Sequence, residues 1–160
     1  MSNTSFYTLH KIMEWEKVSF YTVREEAGDQ QLLWFFRFLE KLREPDARQI
    51  RRMMKQMGTR YGAKAHFFRH EGEADALPSN KVHFVDIDPH VRLYCLRLND
   101  KAVILFSGGY KHAATAQDSG ISFDFQMANL MARKIRKAIA DGRIRLNDDM
   151  RLEWDEDLLL

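Results

Sequence analysis

The sequence contains little that would tie it to a secreted or membrane-bound protein. Cys95 is its single cysteine, so no disulfide can form within the chain. Apolar residues flank Cys95, which predicts a buried thiol in a reducing compartment. No apolar run approaches the roughly 20 residues that a membrane-spanning helix needs, and the N-terminal segment lacks the basic and apolar regions of a secretory signal. We therefore expect a cytoplasmic protein that does not bind membranes.

The common short motifs of enzyme chemistry are also absent. The sequence has no glycine-rich phosphate loop, no His-Glu-x-x-His pair and no Gly-x-Ser-x-Gly element. His66 and His70 are four residues apart, but they fall in a predicted strand, where this spacing does not place two ligands on one helix face. The sequence therefore predicts neither a metal site nor a cofactor.

The net charge of +2 conceals an uneven distribution of charge. Residues 43–70 contain eight basic and two acidic residues, and residues 101–145 contain eight basic and three acidic residues. The last fifteen residues, 146–160, reverse this balance with six acidic residues and one basic residue. A basic body suits a phosphate-rich partner such as RNA, although solvated helix faces carry such charge just as commonly.

Hydrophobic periodicity predicts an α+β fold. An N-terminal helical hairpin and a C-terminal helix are expected to pack on one side of a mainly antiparallel sheet. Asp29 and Pro45 predict where the first helix begins and ends. We expect one domain over residues 1–145, followed by an acidic C-terminal tail over residues 146–160. The predicted strands are 6–12, 17–25, 63–71, 81–87, 90–99 and 101–109, and the predicted helices are 29–43, 46–59 and 123–142.

A hairpin at residues 90–109 is predicted to gather basic side chains at one end of the sheet. Asn99 and Asp100 form its tight turn, so Arg92 at the start of one strand should lie opposite residues 107–109. Guanidinium and ammonium groups bind phosphate, and histidine transfers protons near neutral pH. The predicted catalytic residues are Arg92, Lys111, His112 and His83, and the predicted RNA-binding residues are Lys81, Tyr94, Arg97 and Tyr110.

Each of these residues also has a structural interpretation. Arg97 can pair with Asp100 or Asp86, Lys111 can be a solvated loop residue, and Tyr94 can pack within the sheet. The grouping of several such residues at one strand end is what favours a functional interpretation over these separate structural ones.

The string VRLYCLRLNDKAVILFSGGYKHAAT, followed by a helix of the form AN-x-x-x-AR-x-x-x-AI, resembles the RelE/ParE toxin superfamily. It is most similar to the HigB-like, phage-derived branch of type II toxin–antitoxin systems, over residues 17–142. The preceding GAKAHFFRHEGEADALPSNK also resembles that branch. The resemblance implies a RelE-like fold and a toxin that cuts mRNA in the ribosome. It also implies an antitoxin partner, for which we expect a helix-turn-helix protein.

Within that family, an arginine at the start of the penultimate strand contacts the scissile phosphate, and Arg92 matches it by position. A basic residue after the last strand also contributes, and Lys111 or His112 falls there. The strand before them departs from the family pattern, because residues 81–87 lack lysines on its face apart from Lys81 at its start. Two alternatives therefore remain. The chain is a catalytically silent relative that acts by binding a protein target or an antitoxin, or it is a housekeeping domain that uses this fold.

Overall fold

A computed structural model describes residues 6–26, 32–112 and 121–160 of the chain. Six strands form one sheet in the order β1-β2-β6-β5-β4-β3, and two short strands near the C-terminus pair separately. The elements are β1 (Tyr7–Glu14), β2 (Ser19–Glu25), α1 (Trp34–Glu40), α2 (Glu44–Gln56), β3 (Arg69–Glu71), β4 (Ala74–Leu77), β5 (Val91–Asn99), β6 (Ala102–Tyr110), α3 (Ser122–Ala140), β7 (Ile144–Leu146) and β8 (Leu152–Trp154).

The sheet is mixed, so the prediction of a mainly antiparallel sheet is wrong. β1 and β2 form the antiparallel pair expected for residues 6–12 and 17–25. β2 then runs parallel to β6, with Ser19 opposite Ala102 and Thr22 opposite Leu105. A parallel pair joins residues that are far apart in sequence, and no local pattern specifies such a pairing.

Helices cover both faces of the sheet rather than one. Every residue from Ala102 to Gly109 in β6 is buried, and a strand that is apolar on both sides needs a cover on each. On one face, the core includes residues of α3. On the other face, it includes Phe35 and Phe38 of α1 together with Ile50 and other residues of α2.

The predicted N-terminal helical hairpin is also wrong. α1 follows two strands and packs against β2 and β6, and three residues separate its end at Glu40 from the start of α2 at Glu44. Pro45 lies in the first turn of α2, where its missing N–H costs nothing, instead of ending the helix before it. The predicted helix cap at Asp29 lies outside the described residues.

The region between α2 and β5 differs most from the prediction. A π-helical turn (Met57–Tyr61) and a 3₁₀ turn (Ala65–Phe67) precede β3, so most of the strand predicted at 63–71 is absent. Residues 74–77, predicted to be a loop, form β4. Residues 81–87 form no strand, and their apolar side chains pack irregularly over the α2 side of the core.

The β5–β6 hairpin and the long C-terminal helix agree with the prediction, although the turn falls one residue later than predicted: Asn99 pairs with Ala102, and Asp100 and Lys101 form the turn. Arg92 lies opposite Gly109, within the range expected from the turn. Cys95 is fully buried, as predicted, and burial raises the pKa of its thiol well above the usual value. No helix among the described residues has the length and apolar character required to cross a membrane.

The C-terminal residues predicted to form a tail pack against the body of the protein. β7 and β8 pair with each other. The backbone of Leu160 exchanges two hydrogen bonds with that of Tyr7 in β1, of 2.9 and 3.1 Å. Leu158 and Leu160 are both buried in the core on the α3 face. The acidic segment therefore extends the same globular unit.

Candidate functional site

The N-terminal end of β5 and the C-terminal end of β6 meet at one end of the sheet. Val91 lies opposite Tyr110. One further backbone hydrogen bond, from Lys111 N to His90 O (2.6 Å), extends the pairing beyond the strands. This bond places Lys111 and His112 beside His90. Three of the predicted catalytic residues, Arg92, Lys111 and His112, therefore lie at the same end of the hairpin.

Two imidazole rings lie side by side there, in what we call the histidine cluster: Asp88, His90, Tyr110 and His112. The ring centroids of His90 and His112 are 5.5 Å apart. Asp88 Oδ1 accepts a hydrogen bond from the backbone N of His90 (2.8 Å) and lies 3.0 Å from its Nδ1. Because a carboxylate only accepts, the hydrogen of a neutral His90 is on Nδ1 and the lone pair is on Nε2.

Asp88 is held as an ionised carboxylate. The hydrogen bond from the backbone of His90 lowers the pKa of Asp88, and the nearby side chains of His90 and Arg43 lower it further. An ionised carboxylate at Nδ1 orients the imidazole and fixes its tautomer. The His90 side chain is 56% exposed, so its Nε2 edge can be reached from solvent.

The start of α2 supports the cluster from one side. Tyr110 donates a hydrogen bond from its hydroxyl to Asp46 Oδ2 (2.6 Å) and accepts one from the backbone N of Arg43 (2.9 Å). The Arg43 guanidinium lies 4.6 Å from the centre of the Tyr110 ring and also pairs with Asp88. Burial and the bond to Asp46 raise the pKa of Tyr110. Tyr110 is therefore a fixed support, and its ring face is covered by Arg43.

Arg92 lies in a neighbouring cleft of about 220 Å³ that Arg69 also lines. Its side chain is only 12% exposed, and Nη1 donates to the backbone oxygens of Pro89 (2.8 Å) and Val91 (2.9 Å). Its buried Nε has no hydrogen-bond partner among the residues that the structure describes. Burial lowers the pKa of Arg92, and so does the charge of Arg69. Glu71 partly offsets the two positive charges, with one oxygen 3.6 Å from Arg69 Nε and 3.9 Å from Arg92 Nε.

Lys81 and His83 do not join the histidine cluster. They are exposed residues of the irregular segment 81–87. They line a separate groove with Lys64, His66 and Phe84. The predicted catalytic role of His83 beside His112 therefore finds no geometric support, because the strand that was expected to carry it does not form.

Arg97 and Tyr94 have structural positions. Arg97 lies near the opposite end of β5, where its Nε donates to Ala63 O (2.7 Å) and its guanidinium pairs with Asp100, as the structural alternative predicted. Tyr94 is 0% exposed and its ring packs edge-on against Phe125. Because a fully buried ring cannot stack on a base, the geometry gives no support to the RNA-binding role predicted for Tyr94.

His90, Asp88 and Arg43 are the members of this site that the sequence reasoning missed. The available signal was Asp88-Pro-His90 at the start of a predicted strand, since an aspartate two residues before a histidine can reach its ring. Arg43 gave no comparable signal, because it precedes α2 and meets the cluster only through tertiary packing.

No protein-family model, no curated protein and no solved structure matches this chain. The relationship to the RelE/ParE superfamily therefore stays a prediction, and the functional argument depends on the geometry of the site itself.

Proposed function

We propose that this chain is a cytoplasmic, metal-independent endoribonuclease that acts as the toxin of a toxin–antitoxin pair. The observation that supports the proposal is the pair of adjacent imidazoles, one of them held by a carboxylate. Cleavage of RNA by its own 2′-OH needs a base and an acid on either side of one phosphate, and two histidines supply both. In the setting that the sequence resemblance implies, the substrate is mRNA in the ribosome, and a helix-turn-helix antitoxin covers the site.

In the proposed reaction, Nε2 of His90 removes the proton of a 2′-OH. The 2′-oxygen attacks phosphorus, the bond from phosphorus to the 5′-oxygen breaks, and protonated His112 gives its proton to that leaving oxygen. The products are a 2′,3′-cyclic phosphate and a 5′-hydroxyl. Asp88 accepts the hydrogen on Nδ1 and so leaves the lone pair on Nε2, which is why His90 is assigned the role of base.

Nearby cations can stabilise the additional negative charge on the phosphorane. Lys111 follows β6 directly, and no described carboxylate lies within ion-pair distance of its ammonium group. Arg43 is exposed at the rim of the cluster. Such fixed positive groups act most strongly when charge develops in the transition state.

The test is cleavage of a labelled mRNA by the purified chain, with and without ribosomes, for wild type, His90→Ala and His112→Ala. We expect each substitution to lower the rate by roughly 10²–10⁴-fold, and a chelator to leave the wild-type rate unchanged in reactions without ribosomes. His70→Ala is a matched control, because His70 is exposed on β3, outside the histidine cluster. Wild-type rates in both cluster variants, or no cleavage by the wild type under any of these conditions, would contradict the proposal.

One observation favours a second candidate, a catalytically silent protein that acts by binding. Arg92, to which the resemblance gives the phosphate contact, is mostly buried and its Nη1 is occupied by backbone oxygens of its own segment. Growth arrest on expression of the wild type, without any cut transcript, would favour this candidate. Growth arrest with cut transcripts that His112→Ala abolishes would favour the enzyme.

A further inference from the structure

A second surface outside the histidine cluster combines aromatic rings with positive charge. This aromatic groove is an open depression of about 470 Å³. Its floor is formed by the stacked rings of Tyr61 and Phe84, whose centroids are 4.5 Å apart at an interplanar angle of 23°. Phe67 packs edge-on against both rings, at 6.2 and 5.3 Å. The rings of Tyr61 and Phe84 are only partly buried, so part of this aromatic floor faces solvent.

Basic side chains stand around that floor. Lys64, His66, Lys81 and His83 all line the aromatic groove. Lys64 pairs with Asp100 at 2.8 Å, whereas no described carboxylate lies within ion-pair distance of the Lys81 ammonium group. The groove therefore has a net positive rim around an apolar, aromatic floor.

We propose that the aromatic groove binds single-stranded RNA, with an unpaired base against Phe84 and its phosphates at Lys81 and Lys64. Aromatic faces accept any base by stacking, and ammonium groups contact the backbone, a combination typical of single-strand binding surfaces. An apolar peptide would leave the lysines without partners, and an acidic peptide would leave the ring faces without planar groups. Charge and aromatic character together therefore select a nucleic-acid strand.

The aromatic groove and the histidine cluster belong to one continuous segment. Phe84 contributes to the groove, and His90, six residues later, contributes to the cluster. Six residues span at most about 20 Å even when fully extended, so the two sites lie within the length of a short RNA strand. The groove thus deepens the proposed function, on which it rests, by giving the substrate a binding subsite away from the cleaved phosphate.

The experiment measures binding of a fluorescent, unstructured oligoribonucleotide by anisotropy at several salt concentrations. All proteins carry His112→Ala, so that cleavage does not interfere. Lys81→Ala is expected to weaken binding for every sequence and to reduce the salt dependence by about one phosphate contact. Phe84→Leu is expected to weaken binding by roughly tenfold with an unchanged salt dependence, because it removes stacking alone.

Lys137→Ala is the charge-matched control, since Lys137 is an exposed residue of α3, and it should bind as tightly as the parent. Lys81 is fully on the surface, so its variant remains informative if Phe84→Leu fails to fold. Equal affinities for Lys81→Ala and Lys137→Ala, or binding of an acidic peptide in place of RNA, would overturn the proposal. If RNA binding depended on Lys81 and Phe84 but the wild type never cut RNA, the proposed endoribonuclease activity would be refuted and the proposal for the groove would still hold.

Discussion

Arg151 is expected to fasten the C-terminal segment to the sheet. It is 9% exposed, and its guanidinium donates to Trp15 O (2.8 Å), Ser19 Oγ (2.7 Å), Glu16 O and Asp149 Oδ2 (2.7 Å). Arg151→Met keeps the aliphatic stem but leaves these acceptors without their donor. Because hydrogen bonds from a charged donor contribute about 1.5–3 kcal/mol each, losing those to Trp15, Glu16 and Ser19 should cost about 3–5 kcal/mol in total. For a chain of this length, that corresponds to a fall in Tm of about 10 °C.

Urea unfolding followed by circular dichroism gives the free energy of unfolding for this comparison. The matched control is Arg145→Met in the same segment, where Arg145 and Asp155 form an exposed pair at 3.2 Å that is worth about 0–1 kcal/mol. If Arg151→Met lowered the free energy of unfolding no more than Arg145→Met does, the C-terminal segment would not depend on this anchor and the reasoning would be refuted.

Three further results are expected. Gly108→Ala should cost at least about 3 kcal/mol in urea unfolding, because a Cβ there would overlap the backbone oxygen of Arg92; unchanged stability would contradict that close approach. Lys41→Met should cost about 2–3 kcal/mol in the same assay, since the mostly buried Asp124 loses its partner at 3.0 Å; a neutral effect would show that Asp124 finds another. Because the pKa of Asp88 is lower in the folded protein than its value near 4 in the unfolded chain, ionised Asp88 stabilises the fold above about pH 4. This stabilisation is lost as the pH falls through the folded-state pKa. In melting curves recorded at a series of pH values, Asp88→Asn should make the fall in Tm below about pH 4 less steep. An equally steep fall in the variant would contradict this role of Asp88.

The elements predicted correctly are those whose signals are local. The polar residues around Asp100 indicate a tight turn between two apolar runs, so the position of Arg92 opposite residues 107–109 followed from the sequence, although the turn itself is Asp100-Lys101. The apolar stripe of α3, with Met131 and Ile135 among its buried residues, similarly specifies a helix against the core.

The elements predicted wrongly depend on distant partners. Residues 81–87 have the composition of a strand, yet Val82, Phe84 and Val85 serve as an irregular cover over the α2 side of the core. The parallel pairing of β2 with β6 decides the sheet type, and it brings together Ser19 and Ala102. Burial against a particular surface overrides β propensity in such segments.

Only part of the candidate site was predicted, because its other residues also depend on partners that are distant in sequence. Lys111 and His112 follow a strand whose end could be located from the hairpin. Their neighbour His90 depends on the Asp88 contact, and Asp88 depends on Arg43 at the start of α2. A single sequence shows each of these residue types, but only folding shows that they meet.

The chemistry of the cut RNA ends tests the central claim most directly. Purified protein should leave a 2′,3′-cyclic phosphate on one fragment and a 5′-hydroxyl on the other, as mass spectrometry of the fragments would show. The double variant His90→Ala/His112→Ala should produce neither fragment. Fragments with 5′-phosphate ends, or cyclic phosphates formed as fast by the double variant, would contradict the assignment of the two histidines as base and acid.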